Sequence, residues 1–186
     1  MSIPSSNKPK ILITGANGLL GQKLVEQLVA QGNFAVIATG RGACRLSGTG
    51  FTYQSLDIEN EQEVESVLAQ LRPEVLVHGS AMTHVDDCEK NQEGCYRANV
   101  LATSYLLRAA EKVGSHFIFV STDFIFSGED GHNPYTEEAL PEPVNYYGQT
   151  KLEGEELIKR STLKWAIART VLVYGLANDL SRSNII

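Results

Sequence analysis

The sequence predicts an α/β protein: a doubly wound parallel sheet flanked by helices. Three observations lead there. Short apolar runs, KILIT at 10–14, FAVIAT at 34–39, EVLVH at 74–78 and HFIFV at 116–120, alternate with longer stretches of helical periodicity. The first run stops at a glycine-spaced turn, Gly15-Ala16-Asn17-Gly18-Leu19-Leu20-Gly21, which opens directly into a helix. The fifth strand delivers Ser121, Thr122 and Asp123 at its C-terminal end, the side of an open parallel sheet where ligands sit.

Composition narrows the class. The 186 residues suit one domain with a proper core, and 42% hydrophobic with 20% charged residues describes a soluble globular chain. A net charge of −6 without any basic run argues against a nucleic-acid surface. No stretch approaches the roughly 20 apolar residues of a membrane span. Residues 1–9, with Pro4 and Pro9, read as flexible and carry no apolar core of a secretory signal. Cys44, Cys88 and Cys95 cannot all pair, so reduced thiols and a cytoplasmic location are expected. Cys88 and Cys95, seven apart, fall on one helical stripe and read as buried packing. No histidines follow at ligand spacing, and no metal is expected.

Taken in order, the strand at 10–14 meets the glycine turn, and Leu20, Leu24, Val25 and Leu28 then recur at helical spacing up to Gly32. Gly15 permits the tight turn, Gly18 the approach of a pyrophosphate, and Gly21 the closing of the helix on the sheet. The second strand ends in Gly40-Arg41-Gly42, with no acid nearby in the chain for a ribose 2′-hydroxyl. Arg41 suits a 2′-phosphate instead, so NADP is expected over NAD. A third strand from Phe51 to Leu56 leads to Asp57 and Ile58, which suit an adenine edge or a helix cap equally.

A helix follows from Asn60 to Leu71, and Pro73 breaks it before the fourth strand. Gly79, Ser80 and Ala81 are small enough for backbone to lie against a flat cofactor, and His78 reads as a hydrogen-bonded strand-end histidine. From Val85 to Val113 one apolar stripe runs through Cys95, Ala102, Leu106 and Ala109. Asn99 lies within it, as a structural brace or as a polar slip on the helix edge. The loop at 127–143 is long enough to face a substrate. Trp165–Thr170 gives a sixth strand, with Val171–Tyr174 as an extension.

The chemistry concentrates in a helix over 145–160. Tyr147 and Lys151 stand four residues apart and so share a face. A phenol is a weak acid with a pKa of about 10, and a nearby ammonium favours its ionised form. Thr122 can hold the oxygen that receives the proton. Gly154 continues this face and suggests a close backbone approach.

Four motifs, T-G-A-N-G-L-L-G at 14–21, S-T-D-F-I-F-S-G at 121–128, P-Y-T-E-E at 134–138 and Y-G-Q-T-K-L-E-G-E at 147–155, carry a resemblance covering Lys10 to Tyr174. The chain resembles the extended short-chain dehydrogenase/reductases, and among them the dTDP-4-dehydrorhamnose reductase group. That resemblance implies a Rossmann fold and NADPH, preferred over NADH, reducing the 4-keto group of a nucleotide-linked deoxysugar. It implies Thr122, Tyr147 and Lys151 as the catalytic set, with Tyr147 and Lys151 also contacting the cofactor, Lys151 on the nicotinamide ribose. Gly15, Asn17, Gly18, Leu19, Leu20 and Gly21 would lie along the pyrophosphate. Arg41, Asp57, Ile58, Ser80, Ala81 and Thr83 would complete the cofactor site, Thr83 within the T-H-V-D-D-C-E stretch. A nucleotide sugar is the implied partner, and a homodimer is compatible with it.

Two substrate-side positions depart from the group: Phe124 stands where a tyrosine is usual after S-T-D, and Leu172 where a tryptophan is usual. The group's C-terminal substrate-binding part is expected to begin near 176–186 and to be missing beyond it. Two other readings stay open: a related sugar-nucleotide epimerase or dehydratase, and an NADP-binding regulatory subunit without catalysis, like the partner of methionine adenosyltransferase.

Overall fold

The sheet has six strands, all parallel: β1 Lys10–Thr14, β2 Ala35–Gly40, β3 Phe51–Ser55, β4 Val75–His78, β5 His116–Thr122 and β6 Trp165–Thr170, in the order β3-β2-β1-β4-β5-β6. This computed structural model describes residues 8–129, 134–178 and 183–184, so the expectations for residues 1–7 and for parts of 127–143 and 176–186 fall outside it. Because side chains alternate along a strand, each central strand feeds both faces. Ile11 and Ile13 of β1 pack with Val25 and Leu28 of helix α1 (Leu19–Gln31). Leu12 packs on the opposite face with Val64, Val67 and Leu68 of α2 (Glu61–Leu71) and Leu106 of α5 (Ala102–Val113). Over β6 the α1 face is thinner, with Ala166 and Ala168 exposed.

Several helix ends follow the chemistry of their residues. Gly32 ends α1 in the left-handed region (φ 69°), its N–H donating to Leu28. Asn60 caps α2 by accepting from the Glu63 N–H at 3.2 Å, so the capping role falls to Asn60 rather than Asp57. Asp57 instead accepts from Glu59 N–H at 3.1 Å and forms the turn before that cap.

The 85–113 segment is not one helix. Asn91 interrupts it between α3 (Val85–Lys90) and α4 (Gln92–Tyr96), where its side chain caps the second piece through Gly94 N–H at 3.0 Å. A π-helical turn, Arg97–Leu101, then joins α4 to α5. Cys88 and Cys95 therefore come together across a break, not along a single stripe. Residues 171–174 do not extend β6, because β5 pairs with it only as far as Thr122 and then turns into a 3₁₀ turn at Asp123–Ile125.

Backbone packing decides the glycine turn. Gly15 lies at φ +73°, and a Cβ there would meet Gly79 and Ser80 backbone at 2.9 Å. A Cβ on Gly21 would sit 2.3 Å from the Gly15 carbonyl oxygen and 2.6 Å from Ala16 Cα. Neither neighbour is a flexible side chain, so Gly21→Ala must push α1 off the sheet. We expect a loss of about 2–3 kcal/mol, read as a lower urea midpoint with an unchanged m-value.

Candidate active site

The sheet reverses its winding between β1 and β4, so the loops leaving these two strands diverge and open a crevice. On its floor the Gly18 N–H donates to the Gly15 carbonyl at 2.9 Å, closing the turn before α1. The α1 N-cap, Gly18, has no side-chain cap, which leaves first-turn amides pointing out of the helix. Asn17 is spent internally: its amide donates to Ala43 O and Tyr53 Oη, and its oxygen accepts from Arg45 N–H at 2.9 Å. It therefore shapes the loop after β2. Tyr53 does the same through Gly40 O at 2.9 Å, and burial raises its phenol pKa.

Beyond the loop lies a cleft of about 340 Å³. Arg41, Asp57, Ile58, Ser80 and Ala81, all anticipated from sequence, line it together with Met82, and Arg97 and Glu59 join them. Its apolar walls suit a flat heterocycle and its rim is charged. Thr83 sits outside this cleft, on the exposed segment after β4. Glu59 corrects the sequence reading that no acid stands near Arg41: its carboxylate lies 3.7 Å from the Arg41 guanidinium, brought in from the turn after β3.

Tyr147, Lys151 and Thr122 do converge at the C-terminal end of β5. Helix α6 (Tyr146–Lys159) starts at Asn145, whose side chain accepts from Gly148 N–H at 2.8 Å and so fixes where Tyr147 points. Tyr147 packs with Cys88, Cys95 and Met82, and its ring meets Phe124 edge-on at 5.9 Å. Thr122 Oγ1 accepts from Phe124 N–H and donates to Asp123, and the hydroxyl lies close enough to the phenol to lower its pKa in part.

Electrostatics corrects the expected pairing. Burial pushes the Tyr147 phenol up to about 12, only partly opposed by Thr122. Lys151 does not offset it. Its ammonium donates to the Val120 carbonyl at 2.8 Å and sits 3.9 Å over the Phe119 ring. Burial pulls this amine down to about 7, against the pull of the Glu155 carboxylate. The shared helix face is thus real, but Lys151 is turned to the strand. In this state Tyr147 is a fully protonated acid at neutral pH.

Buried polar groups brace the site. Asn99 decides the open alternative in favour of the brace: its oxygen accepts from Met82 N–H at 2.7 Å and its amide donates to Met82 O and Thr150 Oγ1 at 3.0 Å. It ties the β4 exit to α6. His78 is the expected strand-end histidine, held by Thr14 at 2.8 Å and Thr103 at 3.0 Å, and burial lowers its pKa to about 3. Glu155 is buried, yet Arg169 and Ser121 overcome the burial cost and hold its carboxyl below the usual range. Cys88 is packing material, its thiol pushed to about 12 by burial and by Cys95. The close approach at Gly154 is there too: a Cβ would meet the Phe119 ring at 2.9 Å.

Gln22, Tyr53, Glu59 and Glu155 escaped the sequence reading. Gln22 had a signal, three residues before Val25 on the buried stripe; it donates to Asn17 O and accepts from Asn178 N–H at 2.8 Å. The others act through partners distant in the chain. Among the described residues no three His, Cys, Asp or Glu side chains converge as metal ligands, and no helix is long and apolar enough to cross a membrane.

Sheet order, glycine turn and crevice define a doubly wound, Rossmann-type protein. The chain belongs to the RmlD substrate binding domain family, whose model matches residues 9–183. It is 31% identical to methionine adenosyltransferase 2 subunit beta of Rattus norvegicus over 100% of this chain and 52% of that protein. It is 34% identical to dTDP-4-dehydrorhamnose reductase of Aggregatibacter actinomycetemcomitans, over 89% of this chain and 52% of that one. The chain thus spans about half the length of the curated relatives it matches.

Among solved structures it is similar to the Bacillus anthracis dTDP-4-dehydrorhamnose reductase in complex with NADP, with TM-score 0.78, 32% identity and 91% of this chain against 56% of that one. Thermotoga maritima UDP-glucose 4-epimerase with UDP-glucose gives TM-score 0.77 and 27% identity, over 86% of this chain and 54% of that one.

Two outcomes follow from the buried groups. Asn99→Ala removes a buried amide's hydrogen bonds to Met82 N–H, Met82 O and Thr150 Oγ1, and should cost about 2–3 kcal/mol in chemical denaturation. Lys151 binds its proton near 7 in the fold but at 10.5 unfolded, so between these values the unfolded chain holds the extra proton. This group therefore destabilises the fold increasingly as pH falls from 10 toward 7. Lys151→Met should gain most over the wild type in urea midpoint at pH 7, the gap narrowing toward pH 10.

Proposed function

We propose that this chain is the cofactor-binding and proton-donating portion of a sugar-nucleotide oxidoreductase of the dTDP-4-dehydrorhamnose reductase type, using NADPH. The observation that carries this reading is the convergence of Thr122 and Tyr147 at the C-terminal end of β5, beside the crevice bordered by the glycine turn. Family membership and the reductase relatives support it.

The residues present fit the cofactor. First-turn amides at Leu19 and Leu20 suit a pyrophosphate along Gly15, Gly18 and Gly21, and the cleft at Asp57, Ile58, Ser80 and Ala81 suits adenine. Arg41 lies on the rim for a 2′-phosphate, which is the reason for preferring NADPH. Asn17 serves by shaping that rim. Thr83 would take its part from the exposed loop after β4.

When bound, NADPH supplies the hydride for the sugar's C4 carbonyl carbon. Thr122 holds the carbonyl oxygen, and Tyr147 gives that oxygen its proton, leaving an alcohol. Reduction needs a loaded acid, and a phenol with a pKa of about 12 is one. Lys151, with its pKa near 7, readily changes charge, and turned from Val120 toward the cofactor ribose it would ease the phenol's deprotonation.

A second reading is a regulatory subunit without catalysis. The rat methionine adenosyltransferase subunit matches the whole chain, and Phe124 places a ring without a hydroxyl against Tyr147. The epimerase reading rests on the fold shared with the Thermotoga enzyme.

NADPH oxidation over a panel of nucleotide-linked 4-keto sugars separates these, run on residues 1–186 beside any longer product of the same gene. Tyr147→Phe in the active form should lower turnover about 10²–10⁴-fold with NADPH affinity retained; turnover close to wild type sinks the reductase reading. A stable complex with a partner enzyme and no oxidation supports the regulatory subunit, and tightly kept, unconsumed NAD supports an epimerase.

A further inference from the structure

The rim of the adenine cleft carries two guanidiniums on one carboxylate. Glu59 Oε1 lies 3.7 Å from Arg41 Nη1, and Glu59 Oε2 lies 3.4 Å from Arg97 Nε. Arg97 is drawn further by Glu93 at 3.0 Å. Glu59 is the most enclosed of the three, with a side chain 27% exposed against 75% for Arg41 and 51% for Arg97. All three line the cleft, together with Asp57. The two cations of the lining therefore face two carboxylates, and the rim offers no surplus positive charge.

Resting on the cofactor reading above, we infer that Glu59 sets the discrimination between NADPH and NADH, by holding the arginine that a 2′-phosphate needs. A phosphomonoester brings a charge of about −1.5 to −2 at neutral pH. To pair with Arg41 it must draw the guanidinium from Glu59 and lie within a few ångströms of that carboxylate. A ribose hydroxyl brings no charge, leaves the Arg41–Glu59 pair in place, and finds in Glu59 an acceptor. Arg97 occupies the other carboxylate oxygen and loosens the hold on Arg41. The site as built is thus a weak discriminator, and the acid that makes it so comes from the turn after β3 rather than from the end of β2.

The test is equilibrium titration of NADPH and of NADH by nicotinamide fluorescence. It uses wild-type 1–186, Glu59→Gln, Arg41→Ala and the double variant, each checked for fold by circular dichroism. Glu59→Gln should raise the ratio of NADH to NADPH dissociation constants about fivefold, the scale of one surface ion pair. In the Arg41→Ala background the same substitution should raise the ratio by clearly less than about fivefold, since only the direct repulsion of the phosphate by Glu59 is then relieved and no arginine is released. An unchanged ratio in Glu59→Gln, or the full gain in both backgrounds, overturns the inference while leaving the cofactor reading intact. Folded wild type and variants that bind neither dinucleotide overturn both.

Discussion

Backbone resting on backbone is the constraint on which the rest of this structure depends. Gly15 lies against Gly79 and Ser80, and the first turn of α1 closes over Gly15 and Ala16 at Gly21. These contacts leave room for no side chain at either glycine. They bring the exits of β1 and β4 together at the point where the sheet changes winding direction, and that point fixes the crevice. Gln22 locks the same turn from below through Asn17 O, and Asn17 carries the lock outward to the loop after β2. A rigid turn, a shaped rim and an uncapped helix start are therefore one device.

The second half of the site is built from buried polarity. Asn99 bridges the β4 exit to α6 through Met82 and Thr150, and Asn145 sets the first turn of α6. Glu155, Arg169 and Ser121 tie the other end of that helix to β5 and β6, and Arg169 continues to the Glu137 carbonyl in the 127–143 loop. Held on these braces, Tyr147 and Lys151 stay almost wholly out of water. The cost is visible in their acidities, which move in opposite directions for the same reason: each group is driven toward its neutral form. Lys151 gains one carbonyl and one aromatic face in return, too little to restore a charged amine. A helix bearing such groups keeps its geometry through its braces rather than through the groups themselves.

Much of this was legible in the chain. Strand runs, the glycine turn, Gly32, Pro73 and the sixth strand all act within a few residues, and their patterns gave the elements nearly residue by residue. Errors fell where a partner far along the chain decides. Residues 171–174 have strand composition but no neighbouring strand, because β5 has already turned away. The 85–113 stripe has helical period, yet Asn91 and the π turn at Arg97–Leu101 break it. Asp57 suited an adenine edge or a helix cap equally in the chain, and Asn60, three residues on, took the cap.

By itself the sequence determined the parallel α/β class, the place of the glycine turn, and the shared helix face of Tyr147 and Lys151, because periodicity and motif spacing are local properties. Only the tertiary structure decided what those groups face. It turned Lys151 to the Val120 carbonyl, gave Asn99 its bridging role, and brought Glu59 from the turn after β3 to the side of Arg41. Charge, burial and hydrogen bonding depend on distances through space, and those are set when the sheet closes.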